Sequence, residues 1–315
     1  MKKIICLILT VAATGCVQAQ NFQEWKVTLK AVDDDGQPVT NAQAWVAYGI
    51  PPSAQRSKDW DKVEGLTDDS GIFVAEHQDT GSYSLGIHIR KAGYYPTDHV
   101  YDLGATYTQE IWNPNLTMVL KKIGEPIAMY AKKEETKMPK DNESVGFDLM
   151  AGDWIAPYGT GKSPDVFFTV HRKISSPQEF DADLKLTFPN AGDGVAIVPP
   201  APETGSPLVM PRYATETGYQ PALSWSYHNF TETSAPASGY FFRVRTVLDS
   251  SGNVQSALYG KIQGDVRFYV GTKAPRAGIG FQYYLNPTPN SRNVEFDPKQ
   301  NLLGGLQSYE QVTAP

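Results

Sequence analysis

Cysteine is nearly absent from this 315-residue chain: two occur, Cys6 and Cys16, both before residue 20. A chain cleaved after Ala19 carries none, which excludes a disulfide framework, a thiolate nucleophile and a Cys-ligated zinc. Basic runs are missing too. Lysine and arginine number 28 against 34 aspartates and glutamates, a net charge of −6 that becomes −8 without Lys2 and Lys3. With no basic stripe, nucleic acid is not an expected partner. No apolar run reaches the length of a bilayer-spanning helix, and no segment keeps a helical period over three turns. What remains is short apolar runs broken by turn residues, rich in glycine, proline, tyrosine and phenylalanine. That pattern predicts an all-β chain.

The first nineteen residues read as a targeting segment. Lys2 and Lys3 precede an apolar run from Ile4 to Ala13, and Val17-Gln18-Ala19 offers small residues at the two positions a signal peptidase reads. Cleavage before Gln20 predicts a secreted or periplasmic protein. Ala13-Thr14-Gly15-Cys16 offers the alternative of a lipoprotein anchored through Cys16. The remaining 296 residues are enough for two domains.

Residues 20–122 hold the stretch that organises the chain, 65–97. It reads as a short strand, an acidic turn, a hairpin partner and a long strand. Along that last strand Tyr83, Leu85, Ile87 and Ile89 alternate with Ser84, Gly86, His88 and Arg90. Before it, Trp25, Val27, Leu29 and Ala31 alternate with Lys26, Thr28 and Lys30, and Asp33-Asp34-Asp35-Gly36 makes a turn. A second strand spans 42–48, a polar loop with Trp60 spans 50–64, and a closing strand spans 116–120.

Three motifs stand in order here: Val32, Asp33, Gly36, Pro38, Val39, Ala42 and Val46; then Gly65, Thr67, Asp68, Gly71 and Phe73; then Ile87 or Ile89, Lys91, Gly93 and Tyr94. Over roughly these hundred residues the chain resembles the carboxypeptidase regulatory-like domain. The resemblance implies a transthyretin-like, seven-stranded β-sandwich and an accessory module of exported proteins. It implies no peptidase, because no peptidase domain follows.

Residues 123–143 read as a polar connector in which Ile127, Met129 and Tyr130 could pair as one more strand. Residues 144–315 read as a second all-β domain, a larger antiparallel sandwich or jelly roll of eight or so strands. Phe180, Ala182, Leu184 and Leu186 alternate with Asp181, Asp183 and Lys185, the clearest two-residue period in the chain. Residues 199–221 are too rich in proline and glycine for regular structure, and Asp249 to Asn253 marks a hairpin turn. Gly146 to Leu149, Gly152 to Gly159, Tyr259 to Ile262 and Tyr284 to Asn290 resemble stretches of exported bacterial proteins with the same two-part arrangement. That resemblance implies architecture only.

Chemistry is harder to find. Gly159-Thr160-Gly161-Lys162-Ser163 resembles a phosphate loop, but Ala156 stands where the first glycine belongs and Pro164 follows at once, so a surface turn is expected. His77, His88, His99, His171 and His228 show no metal-ligand spacing, and turn chemistry accounts for Asp33 to Asp35 and for Asp68-Asp69. No metal and no cofactor are implied. Glu295 and Asp297 point the same way on an extended segment. A carbohydrate-active or other hydrolase is the alternative function if they converge in a cleft with Asp181 or Asp183. Aromatics carry the preferred reading. Seventeen tyrosines and six tryptophans are more than two cores need, and Trp60, Trp112, Trp154, Tyr158, Tyr213 and Tyr219 flank loops. Flat rings beside amides stack on sugars. The expectation is an exported, non-catalytic structural or ligand-binding protein of the bacterial envelope. Its partner would be a glycan or an envelope protein, contacted through Trp154, Tyr158, Tyr213 and Tyr219.

Overall fold

A computed structural model describes residues 23–48, 61–79, 84–102, 114–232 and 237–315. Cys16, Trp60, Tyr83 and Trp112 lie outside them, as does the whole targeting segment. The described residues form strands, turns and irregular loops and no helix, so none is long and apolar enough to cross a membrane.

The described residues of the N-terminal part form seven strands in two sheets. They are β1 (Gln23–Asp33), β2 (Gln43–Tyr48), β3 (Asp61–Leu66), β4 (Ile72–Asp79), β5 (Ser84–Arg90), β6 (Thr97–Asp102) and β7 (Asn115–Leu120). One sheet has the order β4-β1-β7, the other β3-β2-β5-β6. All pairs are antiparallel except β1 with β7, where Leu29 lies opposite Leu116. Val27, Leu29 and Ala31 face Val46, Leu85, Ile87 and Ile89 across a single core. Each buried aliphatic side chain contributes about 1.5–3 kcal/mol, and slipping β5 by one residue would expose Leu85, Ile87 and Ile89 together. That penalty holds its register.

The acidic turn does not close a hairpin. β3 pairs with β2 and β4 pairs with β1, so Thr67 to Gly71 carries the chain from one sheet to the other. Thr67 is buried at this crossing, receiving the Ala42 amide and donating to the Val39 carbonyl. Asp68 Oδ1 accepts the amides of Ser70 and Ile72. Gly71, at φ 74°, runs so close to β1 that a Cβ would lie 2.4 Å from the Ala31 carbonyl oxygen.

The stretch expected as a connector contains an eleven-residue strand, β8 (Ile127–Lys137). Its many charges hid it. Met129 and Ala131 are buried on one face, and Lys132 is held by Glu134 at 2.8 Å and Glu310 at 3.1 Å. The other C-terminal strands are β9 (Ser144–Asp148), β10 (Asp153–Trp154), β11 (Val166–Ser176), β12 (Glu179–Thr187), β13 (Gly194–Val198), β14 (Ala222–His228), β15 (Thr231–Glu232), β16 (Gly239–Leu248), β17 (Val254–Gln263), β18 (Arg267–Tyr269), β19 (Gly278–Leu285) and β20 (Phe296–Asn301).

These strands also make two sheets. One has the order β10-β9-β11-β12-β14-β15; the other runs β13-β16-β17-β19-β8-β20, with β18 paired to β19. Among the described residues from 144 on, twelve strands, β9 to β20, thus stand where eight or so were expected, because several are short edge pieces. Between the sheets lies the largest core, with Phe147, Phe168, Leu184, Trp225, Phe242 and Phe281. The larger sheet is covered on its outer face as well. There Met210 and Ala214 of the irregular stretch 199–221, Val294, Phe296 and the C-terminal Val312 pack on Phe241, Tyr259 and Tyr284. The larger sheet is therefore a middle layer, and β17 is buried at every residue from Ala257 to Ile262.

Candidate functional site

A buried polar constellation lies where the two sandwiches meet. Val294 and Phe296 point into the outer core, so the two-residue alternation turns Glu295 the other way, toward the N-terminal sandwich. Its side chain is 1% exposed. Oε1 accepts the Tyr95 hydroxyl at 2.7 Å and the Gly124 amide at 2.9 Å. Oε2 lies 3.1 Å from Nε of Arg212, which comes from the long loop. The guanidinium also reaches the Lys122 carbonyl and lies 3.6 Å from Asp34. Lys121 pairs with Asp34 at 3.0 Å and Lys122 with Asp33 at 2.7 Å. Burial and the bond to Glu295 raise the Tyr95 hydroxyl above its ordinary value. Space is as limited as charge: a Cβ at Gly124 would lie 2.4 Å from Glu295 Oε2. Both donors go to Oε1, while Oε2 meets Arg212 as an ion pair without a well-aligned hydrogen bond; at 1% exposure the carboxylate has no opening to solvent. Its chemistry is that of a clasp.

The other carboxylates of the hydrolase reading do not join it. Asp297 turns back on its own strand, where Oδ1 accepts the Lys299 amide at 3.0 Å and Oδ2 the Gln300 side-chain amide at 2.6 Å. Asp181 and Asp183 project from the opposite sheet into solvent, beside His228 at 2.7 Å and Ser226 at 2.5 Å. Serine, histidine and aspartate do sit together there, but Ser226 and His228 each bond their own aspartate, which is not the relay a nucleophile needs.

The phosphate-loop likeness has a structural explanation. The amides of Lys162 and Ser163 point at an anion, and that anion is Asp148 of the same chain, at 3.0 and 3.2 Å. Asp148 also accepts the amides of Met150 and Ala151. Burial opposes its charge, yet these amides and Arg245 more than compensate, so its carboxyl titrates below the ordinary range. Asp153 holds the Thr160 end of the same loop.

The four aromatic candidates divide. Trp154 is a core residue, 6% exposed, packed edge to face on Phe147 and Phe168. It offers no face to a ligand, because β10 pairs with β9 and turns the indole inward. Tyr219 is half-buried under Arg243 and donates to the Thr215 carbonyl. Tyr158 and Tyr213 are exposed, by 39% and 57%. Tyr219 belongs to the outer core and Trp154 to the inner one, so the larger sheet separates them and the four rings make no common platform. Among the described residues, no group of three or more histidines, cysteines and acids could hold a metal ion.

Two features escaped sequence reasoning. A groove of about 660 Å³ runs between Pro96, Val119 and Lys121 of the N-terminal sandwich and Pro202, Gly205 and Pro207 of the loop. The second is Lys261, fully buried in the middle of β17. The signal for it was present: a lysine inside the otherwise apolar run Ala257 to Ile262 has no solvated face to occupy.

No family model matches the chain, and no curated protein is similar to it in sequence. Among solved structures it is similar to a 3-chlorocatechol 1,2-dioxygenase from Rhodococcus opacus 1CP, with 14% identity over 32% of this chain and a TM-score of 0.24. The chain spans 60% of that enzyme's length. It is also similar to a shaft pilin from Lactobacillus rhamnosus GG, with 11% identity, 72% of this chain, 89% of that one and a TM-score of 0.23. The major pilin subunit of Bacillus cereus is similar at 10% identity, 82% and 95% coverage and a TM-score of 0.23. Overlaps of this depth establish neither a family nor a function.

Proposed function

We propose that the chain is an exported, non-catalytic structural protein of the bacterial envelope. In this reading residues 20–122 are a carboxypeptidase regulatory-like accessory module and the C-terminal sandwich contacts a glycan or another envelope protein. The observation that carries it is the use of Glu295. The carboxylate best placed for acid–base work is buried as the clasp between the sandwiches, held by Tyr95, Gly124 and Arg212. Support for the module comes from the seven strands that its described residues form, in sheets of three and four, and from motif residues that do structural work. Asp33 and Asp68 close turns, and Lys91 reaches back to the Thr40 carbonyl at 2.9 Å.

Tyr158 and Tyr213 are the aromatic candidates left to meet a ligand. A glycan array with the wild type and with Tyr158→Ala and Tyr213→Ala tests the contact: binding that the substitutions weaken supports it, and binding indifferent to both removes it. Product release from a polysaccharide panel, abolished by Glu295→Gln in a protein that stays folded, would replace this reading with a hydrolase. Export is checked by intact mass. The protein starts at Gln20 or carries lipid on Cys16, and a secreted species retaining residues 1–19 contradicts both.

A further inference from the structure

A sheet ends on strands whose outward N–H and C=O groups accept a further strand unless they are blunted or covered. Most edges of this protein are managed within the chain. β10 and β15 are two residues long and β20 carries Pro298. β13 is bonded by Gln220, β7 by the Thr97 hydroxyl and β6 by Gly205. β3 carries the exposed ion pair of Lys62 and Glu64. β4 is the exception. It pairs with β1 over eight residues without a register shift, it contains neither proline nor lysine, and among the described residues no strand pairs with its other side.

Its first residues show which backbone groups face outward. The Gly71 carbonyl accepts the Ala31 amide of β1, whereas the Ile72 amide and carbonyl turn away from β1 to Asp68. By alternation Phe73 and Ala75 address β1, and Val74 and Glu76 turn their amides and carbonyls to the open side.

We propose that β4 is a dimerisation edge, pairing antiparallel with β4 of a second copy of this chain about a two-fold axis at Ala75. Val74 of each copy then lies opposite Glu76 of the other, and each such pair exchanges two backbone hydrogen bonds. Two three-stranded sheets become one sheet of six. The edge is self-complementary, because its two open residues stand on either side of Ala75. That residue is fully buried on the core side, so the axis sets methyl against methyl. On the outer face Val74, 39% exposed, is covered, and Glu76 already pairs with Lys26 at 3.0 Å. An axis at Glu76 would instead set two carboxylates opposite each other, which is unfavourable.

Sedimentation velocity of the purified protein over about a hundredfold range of concentration is expected to show a reversible monomer–dimer equilibrium, as a small interface gives. Val74→Pro deletes an outward amide, a change that an edge strand tolerates, and is expected to weaken the dimer by at least about tenfold. Val74→Lys sets a lysine opposite Glu76 in both pairs and is expected to tighten it about fivefold. A wild type that stays monomeric, a dimer indifferent to Val74→Pro, or a dimer weakened by Val74→Lys overturns the proposal. If the proline variant does not fold, the wild type decides. Its Val74 and Glu76 amides must exchange more slowly with solvent as the dimer forms, and dimerisation that leaves their exchange unchanged overturns the β4 interface.

Discussion

The Tyr95 hydroxyl donates a 2.7 Å hydrogen bond to Glu295 across the junction of two β-sandwiches, joining residues 200 positions apart. Tyr95 sits just after the Lys91–Tyr94 turn, and Glu295 just before β20. Neither side chain packs in a sandwich core, so the bond serves the relation between the parts.

Glu295→Gln keeps the shape and the Oε1 acceptor but removes the charge facing Arg212. It is expected to cost about 1–3 kcal/mol, as loss of a buried charged partner does. Tyr95→Phe leaves that oxygen with one donor fewer and is expected to cost about 1 kcal/mol. Urea unfolding measures both. Midpoints equal to wild type for both variants would show that the junction carries no stability.

Lys261 makes stability depend on pH. Its folded pKa, about 7, lies below the unfolded 10.5, so between those values the unfolded chain binds more protons. Wild-type stability is then expected to rise as pH goes from 7 to 10.5. The penalty is full below pH 7 and absent above 10.5. Lys261→Met, close in volume, is expected to be more stable at pH 7 by an amount on the order of 4 kcal/mol, with that gain shrinking toward pH 10. A constant difference between the two proteins across this range contradicts the assignment.

Trp154→Ala opens a cavity beside Phe147 and Phe168 and is expected to cost about 3–5 kcal/mol. The readout is thermal unfolding, compared with Tyr158→Ala, which should change stability by less than about 0.5 kcal/mol. A Trp154→Ala protein of wild-type stability would place the indole at the surface after all.

Asp148→Asn keeps the side-chain shape but weakens the acceptor for the Lys162 and Ser163 amides, and is expected to cost about 1–3 kcal/mol at pH 7. The folded carboxyl titrates below its ordinary 3.8, so its contribution is present above that value and is lost as pH falls through the folded pKa. The gap between wild type and variant, read from denaturant midpoints at pH 7 and pH 3, should therefore narrow in acid.

The strands were largely legible because a two-residue period shows which side chains share a face. The face of β5 carrying Leu85, Ile87 and Ile89 and that of β12 carrying Phe180 to Leu186 needed no further information. Turns were legible where an aspartate binds its own backbone, as Asp249 does between β16 and β17. Strand partners were another matter. Thr67 to Gly71 has the residues of a hairpin turn, yet it joins two sheets, because β1 and β2 were already waiting as partners for β4 and β3. β8 was obscured because Lys132 and Glu134 read as solvated until Glu310, far along the chain, is brought beside them.

Sequence alone determined that this chain is all-β and where most strands and turns fall, since alternation and turn chemistry act between near neighbours. Only the tertiary structure decided the fate of Trp154, Glu295 and Lys261. An indole beside a loop can face solvent or core, a carboxylate on an extended segment can line a cleft or close a junction, and a lysine in a strand can be solvated or entombed. Each outcome depends on which distant segment covers the residue. Here those segments are the facing larger sheet for Trp154, the N-terminal sandwich for Glu295, and the outer layer of loop and C-terminal tail for Lys261.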